Sequence, residues 1–429
     1  MRDQLTSVDD VVRAAARPSL LQVLDPVVRA NPYLLYRRLR EECPVSEWPS
    51  DGIVLARYVD CAATLRDPRV SSDERNSNAY KAMVASGQLT PNDIAAREER
   101  VILFRDPPDH TRVRRLVSKA FTPRMVEQLR STIQEHANAL IDRVSERNHI
   151  ELIADFAYPL PTTVICRMLG APLQDHPRFP FWTQHLIRSV DPPFVLSADD
   201  RQGILQMFGD LSAYFGELIA RRRSDPRDDL LSGLLAAEVE GERLTTGELN
   251  ATCRLLLSAG HTTTFNLIAN GMLALLRHPD QLERLRVDPT LAASAVEEVL
   301  RYDPPGHFAP RIALEDMEFD GRTVGRGHPI IVVLASAGRD PDQFSDPDHF
   351  DISRADPRHL AFGAGPHFCL GASLARMEGA IALQTLAERL VDPRLATDQL
   401  RYTKNLAIRG LEELPITFKA VKPASSWIV

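Results

Sequence analysis

Apolar residues recur every three to four positions along most of the chain, and this spacing predicts amphipathic helices. The clearest stretches are residues 123–147, 202–223, 246–277, 291–302 and 370–390. Thr245 precedes the longest stretch, and Glu248 lies three residues further on, which predicts a capping box at the start of that helix. The pattern therefore predicts a mainly helical protein, with residues 246–277 as its central helix.

Strand patterns are fewer and shorter than helical patterns. They cover residues 53–56, 317–324 and 330–334. Asp320-Gly321, within the second stretch, is a residue pair typical of a hairpin turn. We therefore expect a small β-rich lobe near residues 45–60 and 306–335, within a mainly α fold.

Three segments show no clear period, namely residues 71–100, 176–201 and 306–310. Irregular segments inside a compact domain are often binding loops or lids, and they are also often mobile surface. The sequence leaves both interpretations open.

The most apolar stretch, residues 255–276, is long enough to cross a membrane. It contains polar side chains such as Ser258, His261 and Asn266, and no second stretch of this kind exists. We therefore expect a helix buried in a large globular domain, and no membrane association. Because the first ten residues are polar and acidic, we expect neither a signal peptide nor an anchor, and a cytoplasmic protein.

Length and charge set further limits. The 429 residues contain no internal repeat and no linker, so we expect residues 1–429 to form a single domain. A domain of this length can bury a cofactor of considerable size. The formal net charge of −7 argues against nucleic acid as a partner.

The five cysteines, at positions 43, 61, 166, 253 and 369, are far apart and include no Cys-x-x-Cys pair. This distribution argues against a disulfide framework, a zinc knuckle and an iron–sulfur cluster. A lone cysteine is usually a small buried apolar residue. Cys369 differs because it follows two glycines and a proline and directly precedes a predicted helix. Glycine lets the backbone approach a flat ligand closely, and a helix N-terminus favours a thiolate.

The ten residues from Phe362 to Gly371, here called the cysteine loop, read FGAGPHFCLG. They resemble the haem-binding signature F-G-x-G-x-H-x-C-x-G of the bacterial cytochrome P-450 family, and every defining position is filled. The resemblance implies that Cys369 is the thiolate ligand of a haem b iron. It also implies that Phe362, Gly363, His367 and Gly371 contact the haem.

Two haem propionates need partners, and each charge-assisted hydrogen bond contributes roughly 1.5–3 kcal/mol in a poorly solvated pocket. The sequence Asp-Pro-Pro-Asp-His at residues 106–110 begins a predicted helix on which His110 and Arg114 share one face. This segment resembles the propionate-binding helix of the family. Arg311 and His367 occupy the other two positions that the family uses for the propionates.

Glu298 and Arg301 match the family's E-x-x-R pair on the helix before the β lobe. At a spacing of three residues the two charges can form an ion pair. The resemblance implies a buried structural pair that holds the segment behind the cysteine loop, with His349 as a possible third member. We therefore expect both residues to be needed for the fold and not for catalysis.

Residues 259–264 of the central helix read AGHTTT and resemble the family's oxygen-side pattern A-G-x-[D/E]-T-[T/S]. The small Ala259 and Gly260 are expected to leave room for dioxygen, with Ala259 against the haem. A threonine hydroxyl can bond the carbonyl four residues earlier and bend the helix, and the resemblance makes Thr263 the alcohol of the proton network. The acidic position is occupied by Thr262, whose hydroxyl can orient water but cannot act as an acid near neutral pH.

The resemblance extends from residue 31 to about residue 414, with four motifs in family order. It implies a triangular, mainly α fold with haem between the central helix and the cysteine-loop helix. It implies a haem-thiolate monooxygenase that activates dioxygen to hydroxylate or epoxidise a medium-sized organic substrate in secondary metabolism. Electrons would come from a ferredoxin and a ferredoxin reductase, and Arg112 and Arg115 are expected docking residues.

The substrate is less constrained than the cofactor. By family position, the pocket combines apolar side chains with the polar anchors Arg97, Arg188 and His307. This mixture suits a natural-product intermediate, free or tethered to a carrier protein, bound by a monomeric enzyme. Two alternatives stay open. One is peroxide-driven oxygenation, desaturation or oxidative coupling with the same cofactor, which Thr262 favours, and the other is a non-catalytic haem sensor.

Overall fold

A computed structural model describes residues 8–88, 100–355 and 358–424. The contacts of the chain divide it into two compact units. The first unit comprises residues 1–90, 294–369 and 397–413, and the second comprises residues 91–293, 370–396 and 414–429.

The α-helices of the described residues are numbered here in chain order. They are α1 Val8–Ala14, α2 Pro26–Ala30, α3 Tyr33–Glu42, α4 Tyr58–Thr64, α5 Asn78–Ala85, α6 Asp109–Ala120, α7 Pro123–Glu127, α8 Arg130–Asp142, α9 Pro159–Leu169, α10 Phe179–Ser189, α11 Ala198–Ser224, α12 Leu230–Ala236, α13 Thr246–Arg277, α14 Pro279–Val287, α15 Ala292–Tyr302, α16 Leu334–Ala337 and α17 Ala372–Arg389.

The strands are short. They are β1 Val45–Trp48, β2 Gly52–Leu55, β3 Val70–Ser71, β4 His149–Glu151, β5 Glu238–Val239, β6 Glu242–Arg243, β7 Phe308–Ala313, β8 Met317–Phe319, β9 Arg322–Val324, β10 Pro329–Val333, β11 Leu390–Val391, β12 Arg394–Leu395, β13 Pro415–Thr417 and β14 Ala420–Val421. The fold is therefore mainly α with small sheets, as the sequence predicts.

The first unit is organised around a five-stranded sheet in the order β1-β2-β10-β7-β3. Strands β2 and β10 run parallel, and the other neighbouring strands run antiparallel. Branched side chains such as Ile53, Ile330 and Val332 are buried in the core beside this sheet, where they fit a pleated surface well. Strands from both predicted β regions join this one sheet, and β8 and β9 form the predicted hairpin at Asp320-Gly321.

The second unit is organised around the central helix α13, which packs against α9, α11 and α17. Consecutive side chains such as Leu267, Ile268 and Ala269 are buried, so this part of the helix is covered on all faces. Its predicted capping box is confirmed, because the Glu248 amide donates to Thr245 Oγ1 at 3.2 Å and the Thr245 amide donates to Glu248 Oε2 at 2.9 Å. None of the helices in the described part of the chain is long and apolar enough to cross a membrane.

Three predicted segments were wrong in detail. The segment 71–100, predicted to be irregular, contains helix α5. The single helix expected over residues 123–147 is divided into α7 and α8 by Gln128 and Leu129. Both residues keep near-helical angles, with φ −63° and ψ −18° at Gln128, so the apolar period continues across the break. The segment 176–201 is not irregular but contains α10 and the start of α11, because Pro180 lies in the first turn of α10, where proline is tolerated.

Candidate active site

The cysteine loop is a closed, non-helical turn. Its middle is a single turn of 3-10 helix, Gly365–His367, and the amide of Cys369 donates to the Phe362 carbonyl at 2.9 Å. Gly363 and Gly365 have φ values of +70° and +68°, in the left-handed region that favours glycine. A Cβ atom on Gly365 would also lie 2.5 Å from the Leu65 carbonyl oxygen. The loop can therefore keep this path only with glycine at that position.

The environments of the five cysteines differ. Burial raises the pKa of the Cys166 and Cys253 thiols to about 12 and also raises the pKa of the Cys61 thiol. Such thiols stay protonated near neutral pH and are poor ligands. Cys43 and Cys369 are half-buried, but partial burial raises the pKa of Cys43 as well. Only the Cys369 position combines partial exposure with a glycine-rich loop.

The predicted start of the following helix was wrong by two residues. Helix α17 begins at Ala372, and Gly371 serves as its N-cap with φ −84° and ψ 8°. Glycine is a poor helix former and is accepted at an N-cap, which explains the later start. Cys369 therefore lies three residues before the helix, and its local chemistry is set by the loop more than by the first helical turn.

Glu298 and Arg301 form a fully buried ion pair behind this loop, in the first unit. Arg301 donates from Nε and Nη2 to the two carboxylate oxygens of Glu298, each at 2.7 Å. Its remaining donors reach the carbonyls of Gly338, Pro347 and His349 at 2.7–3.1 Å.

The third charged member of this cluster is Arg354, whose Nε lies 3.2 Å from Glu298 Oε2. His349, the residue suggested from the sequence, contributes its backbone carbonyl and not its ring. Three charges and several carbonyls thus fix the segment from Gly338 to Arg354, which precedes the cysteine loop. Buried charges persist in proteins when they are paired and hydrogen-bonded in this way.

Two of the expected propionate partners belong to the first unit. Arg311 lies in β7, is buried, and donates from Nη1 to the Pro310 carbonyl at 2.8 Å. His367 is half-buried at the end of the 3-10 turn, two residues before Cys369.

The other two expected partners, His110 and Arg114, lie on α6 in the second unit. Burial lowers the pKa of His110, and the positive charge of Arg114 lowers it further. This effect of Arg114 on the pKa of His110 agrees with the prediction that the two residues share one face of α6. His110 is neutral at pH 7 and can donate one hydrogen bond, while Arg114 keeps a full charge.

The threonines of α13 bond back along the helix as predicted. Thr263 Oγ1 donates to the Ala259 carbonyl at 2.9 Å, and Thr264 Oγ1 donates to the Gly260 carbonyl at 2.9 Å. Ala259 is exposed although most of the helix is buried. A Cβ atom on Gly260 would lie 3.1 Å from the Ile165 side chain. Its small size therefore serves the packing of α13 on α9.

Thr262 lies on another face of α13, and its residue exposure is only 5%. Among the described residues its hydroxyl has no hydrogen-bond partner. An unsatisfied buried hydroxyl costs about 1–3 kcal/mol unless water completes it. The position that is acidic in the sequence pattern thus holds a neutral group suited to binding a water molecule.

His261 was not predicted as a functional residue, yet it connects two helices of the second unit. Its Nδ1 donates to the Leu257 carbonyl, so Nε2 must accept, and Thr183 Oγ1 on α10 lies 2.6 Å from that nitrogen. Burial lowers the pKa of His261 to about 4, and the ring stays neutral at pH 7. The sequence could not reveal this role because its partner lies 78 residues away.

Arg112 is less available for docking than the sequence suggests. It donates to Glu248 at the start of α13 and to Asp109 at 2.8 Å, and Arg105 lies 3.5 Å from the same Glu248 carboxylate. Arg115 is more exposed and pairs with Glu240 at 3.0 Å. Arg112 therefore acts mainly inside the second unit, where it connects α6 with the central helix.

Two expected polar anchors for substrate are also engaged within the chain. Arg188 bonds Asp191, Asp200 and the Val195 carbonyl. His307 is buried, and its Nδ1 lies 2.8 Å from the Tyr36 hydroxyl. Arg97, the third expected anchor, lies outside the described residues.

The donor set suits a haem better than a bare metal ion. In residues 8–88, 100–355 and 358–424, no three or more His, Cys, Asp or Glu side chains are grouped to hold an ion. One thiol, such as that of half-buried Cys369, suits an iron whose other ligands come from a macrocycle. Each unit separately offers two of the expected propionate partners, with N–H donors and positive charge suited to a carboxylate.

Known proteins similar to this chain agree with that chemistry. Residues 81–391 match the family described as Cytochrome P450. The chain is 39% identical over 392 residues to the biotin biosynthesis cytochrome P450 of Bacillus subtilis strain 168, which covers 91% of this chain and 96% of that protein. It is 42% identical over 407 residues to the cytochrome P450 monooxygenase PikC of Streptomyces venezuelae, which covers 92% of this chain and 93% of that protein.

A solved structure extends the similarity to the fold. P450BioI, crystallised with an acyl carrier protein ligated to hexadec-9Z-enoic acid, matches with a TM-score of 0.83 and 38% identity. The match covers 92% of this chain and 99% of that chain. The resemblance carried by four motifs in the sequence therefore holds over almost the whole chain.

Proposed function

The chain belongs to the cytochrome P450 family, and from this premise we propose that Cys369 is the thiolate ligand of its haem iron and that Thr263 controls protons on the oxygen side. The protein is a haem-dependent monooxygenase that transfers an oxygen atom from dioxygen to an organic substrate. The individual residue roles follow from their chemistry and are treated one by one below.

The observation that carries the assignment of Cys369 is the contrast between its thiol and the other four. Three of those thiols are buried with a raised pKa, and Cys43 lies outside any loop of this kind. Cys369 is half-buried in a loop closed by its own amide and shaped by two left-handed glycines. A half-buried thiol in such a loop can approach a large flat ligand closely.

A bound haem would supply the activation of dioxygen, and Cys369 would hold its iron through the thiolate sulfur. The protein's own side chains would hold the haem propionates and direct protons to the oxygen side. We assign Arg114 and Arg311 to the propionates as charged donors, and His110 and His367 as hydrogen-bond donors. Thr263 holds its hydroxyl toward the Ala259 carbonyl at 2.9 Å, which leaves its oxygen free to accept a bond from water and orient it.

Thr262 does not by itself indicate atypical chemistry. The relatives include proteins named as a monooxygenase and as a vitamin D3 25-hydroxylase, and they do not favour the peroxide, desaturase or coupling alternatives. A neutral hydroxyl at this position can hold a water molecule, so the proton has to arrive through water and not from a side-chain acid.

Members of this family receive electrons from separate redox proteins, and we propose a ferredoxin with its reductase for this chain. The docking surface that we propose is centred on the exposed side of α6, at Arg115 and Lys119, and excludes Arg112, which is paired internally. We also propose that the enzyme acts as a monomer.

We propose a medium-sized substrate that is mostly apolar. Arg188 and His307, the polar side chains expected to select a polar substrate, are already bonded within the chain. P450BioI was crystallised in complex with an acyl carrier protein ligated to hexadec-9Z-enoic acid. We propose that a carrier protein delivers the substrate to the present enzyme in a similar way.

The test is incorporation of labelled oxygen. Substrates are first selected from apolar metabolites and acyl carrier thioesters by a change in the iron spin state. They are then incubated with ¹⁸O₂, ferredoxin, ferredoxin reductase and NADPH. The proposal predicts one ¹⁸O atom in the product with wild-type protein and with Cys43→Ser, and no product with Cys369→Ser. Equal product from both serine variants would contradict the assignment of Cys369.

A further inference from the structure

His359 lies just before the cysteine loop and belongs to neither of the clusters described above. Its side chain is only 3% exposed. The ring nitrogen Nε2 lies 3.2 Å from Glu297 Oε2 on α15, and the amide of Ala361 donates to the other nitrogen, Nδ1, at 3.2 Å. The ring therefore bridges a helix of the first unit and the backbone that enters the loop.

These two contacts determine which nitrogen carries the proton. A backbone amide can only donate, so Nδ1 must be the acceptor for Ala361. The neutral ring then has its proton on Nε2, which donates to the Glu297 carboxylate. A carboxylate that receives this bond fixes both the tautomer and the orientation of a histidine.

From His359 the contacts lead directly to Cys369. Ala361 directly precedes Phe362 in the chain, and the Phe362 carbonyl accepts a hydrogen bond from the Cys369 amide at 2.9 Å. The His359 ring also packs on the Phe362 ring with a centroid distance of 5.8 Å, and Phe362 contacts Phe368 in turn at 6.2 Å. One ring thus holds the backbone amide of Ala361, next to the residue that closes the loop, and the side chain of Phe362 itself.

The loop needs an anchor of this kind. Gly363 and Gly365 lose more conformational entropy on ordering than other residues would. The hydrogen bonds described above for Glu298, Arg301 and Arg354 end at residues 338–351, before the loop begins. They hold the preceding segment and not the loop itself.

We propose that His359 and Glu297 are positioning residues that fix the Phe362 end of the cysteine loop and thereby hold the Cys369 sulfur in place for the iron. This inference rests on the proposed function, since it takes Cys369 as the ligand. Neither residue touches the reacting atoms. Their contribution is to keep one loop geometry populated out of the many that the glycines allow.

The test uses the holoenzyme and four variants. His359→Ala removes both hydrogen bonds. His359→Asn keeps an acceptor near Nδ1, His359→Gln keeps a donor near Nε2, and Glu297→Gln keeps an acceptor without the charge. His328→Ala, which removes a half-buried histidine of the β lobe that bonds the Ser50 carbonyl, is the control.

Two measurements are made on each protein. The first is the fraction of the reduced, carbon-monoxide-bound form that shows a thiolate-type Soret band, and the rate at which that band is lost. The second is amide exchange over residues 360–370 of the holoenzyme, which reports on the loop backbone and does not depend on activity. We expect His359→Ala to accelerate loop exchange and loss of the band by at least about tenfold each, because each of the two lost hydrogen bonds contributes about that factor. In His359→Asn, loop exchange and the rate of band loss should return most of the way to the wild-type values. In His328→Ala, neither rate should change.

The outcomes separate this inference from the proposed function. Wild-type protein without a thiolate band would overturn the assignment of Cys369 and this inference with it. A wild-type band together with unchanged exchange and an unchanged band in His359→Ala would overturn the inference alone. If His359→Ala fails to fold, Glu297→Gln and His359→Gln decide. Wild-type behaviour in both of them would also contradict the inference.

Discussion

At the scale of single residues, the hydroxyl of Thr263 and that of Thr264 are chemically equivalent. Each donates to the carbonyl four residues earlier at 2.9 Å. They differ in environment, since Thr264 is buried and Thr263 is only half-buried beside the exposed Ala259. Position and not hydrogen bonding therefore separates the proposed proton-handling alcohol from its neighbour.

Thr263→Ala is expected to uncouple oxygen consumption from product formation. Without the hydroxyl, water on the oxygen side would lose the group that orients it. The ratio of product formed to oxygen consumed should therefore fall by about tenfold or more. Oxygen consumption itself should persist. The check measures both quantities in parallel, with Thr264→Ala as the control, and an equal fall in both variants would argue against a special role for Thr263.

Sequence reasoning identified residues that belong to continuous motifs and missed those defined by long-range contacts. Cys369, Glu298 and Arg301 stand in patterns of ten residues or fewer, and their chemistry can be read from neighbours along the chain. Arg354 and His359 cannot, because Arg354 joins Glu298 across 56 residues and His359 joins Glu297 across 62 residues. Such partners become visible only when the chain is folded.

At the scale of elements, the first turn of the central helix is tied to α6. Glu248 completes the capping box of α13 and also accepts from Arg112 and Arg105. Burial opposes its ionisation, but the bonds from Arg112 and the Thr245 amide outweigh burial and hold the pKa of Glu248 below its ordinary value. The carboxylate is therefore charged at pH 7 and links the two helices.

Glu248→Gln separates the cap from the ion pair, because glutamine can still accept from the Thr245 amide. We expect a loss of about 2 kcal/mol in the free energy of unfolding, since two largely buried guanidinium groups lose a charged partner. Urea unfolding at pH 7 measures this loss. Glu240→Gln, which removes an exposed partner of Arg115, should cost no more than about 0.5 kcal/mol. Similar losses in the two variants would contradict the linking role of Glu248.

Long helices were predicted well, and their ends and interruptions were not. The central helix has the predicted bounds because the capping box gives it a defined start and its apolar period is unbroken. The break between α7 and α8 leaves backbone angles near helical values, so it has no signal in the period. Helix α10 was missed because proline and aromatic residues hide a helical period that packing on α11 stabilises.

At the scale of the whole molecule, three buried histidines make stability depend on pH. Burial lowers the pKa of His261 to about 4 and that of His307 to about 3, and burial with the charge of Arg114 lowers the pKa of His110, all from an ordinary value of 6.5. The unfolded chain therefore takes up protons that the folded protein does not. Stability is full well above pH 6.5 and falls below it. For His261 and His307 the loss approaches about 1.4 kcal/mol per pH unit for each histidine until the folded pKa is reached.

His307→Gln should reduce the loss of folding stability below pH 6.5 by the contribution of one histidine. The urea midpoints of wild type and variant are compared at pH 7 and at pH 5.5, above the range in which carboxylates titrate. We expect a smaller decrease for His307→Gln than for wild type. His149→Gln, which replaces an exposed histidine, should behave like wild type. If the two glutamine variants lose equal stability, buried neutral His307 does not control the acid response.

Electron delivery also depends on the charge of the whole molecule. Because the formal net charge is −7, we expect ferredoxin to dock at local basic sites. Arg115→Glu should slow turnover supported by reduced ferredoxin, most strongly at low salt, because charge steers association. Turnover supported by hydrogen peroxide needs no docking and should be unchanged. Steady-state rates with both electron sources measure the effect, and an equal loss with both sources would exclude this docking surface.

The most direct test of the central claim is the absorption spectrum of the reduced, carbon-monoxide-bound protein. The account predicts a thiolate-type Soret band in wild type, the same band in Cys43→Ser, and its loss in Cys369→Ser even where haem is retained. A thiolate band that persists in Cys369→Ser, or one that is absent from wild type loaded with haem, would contradict the assignment of Cys369 as the iron ligand.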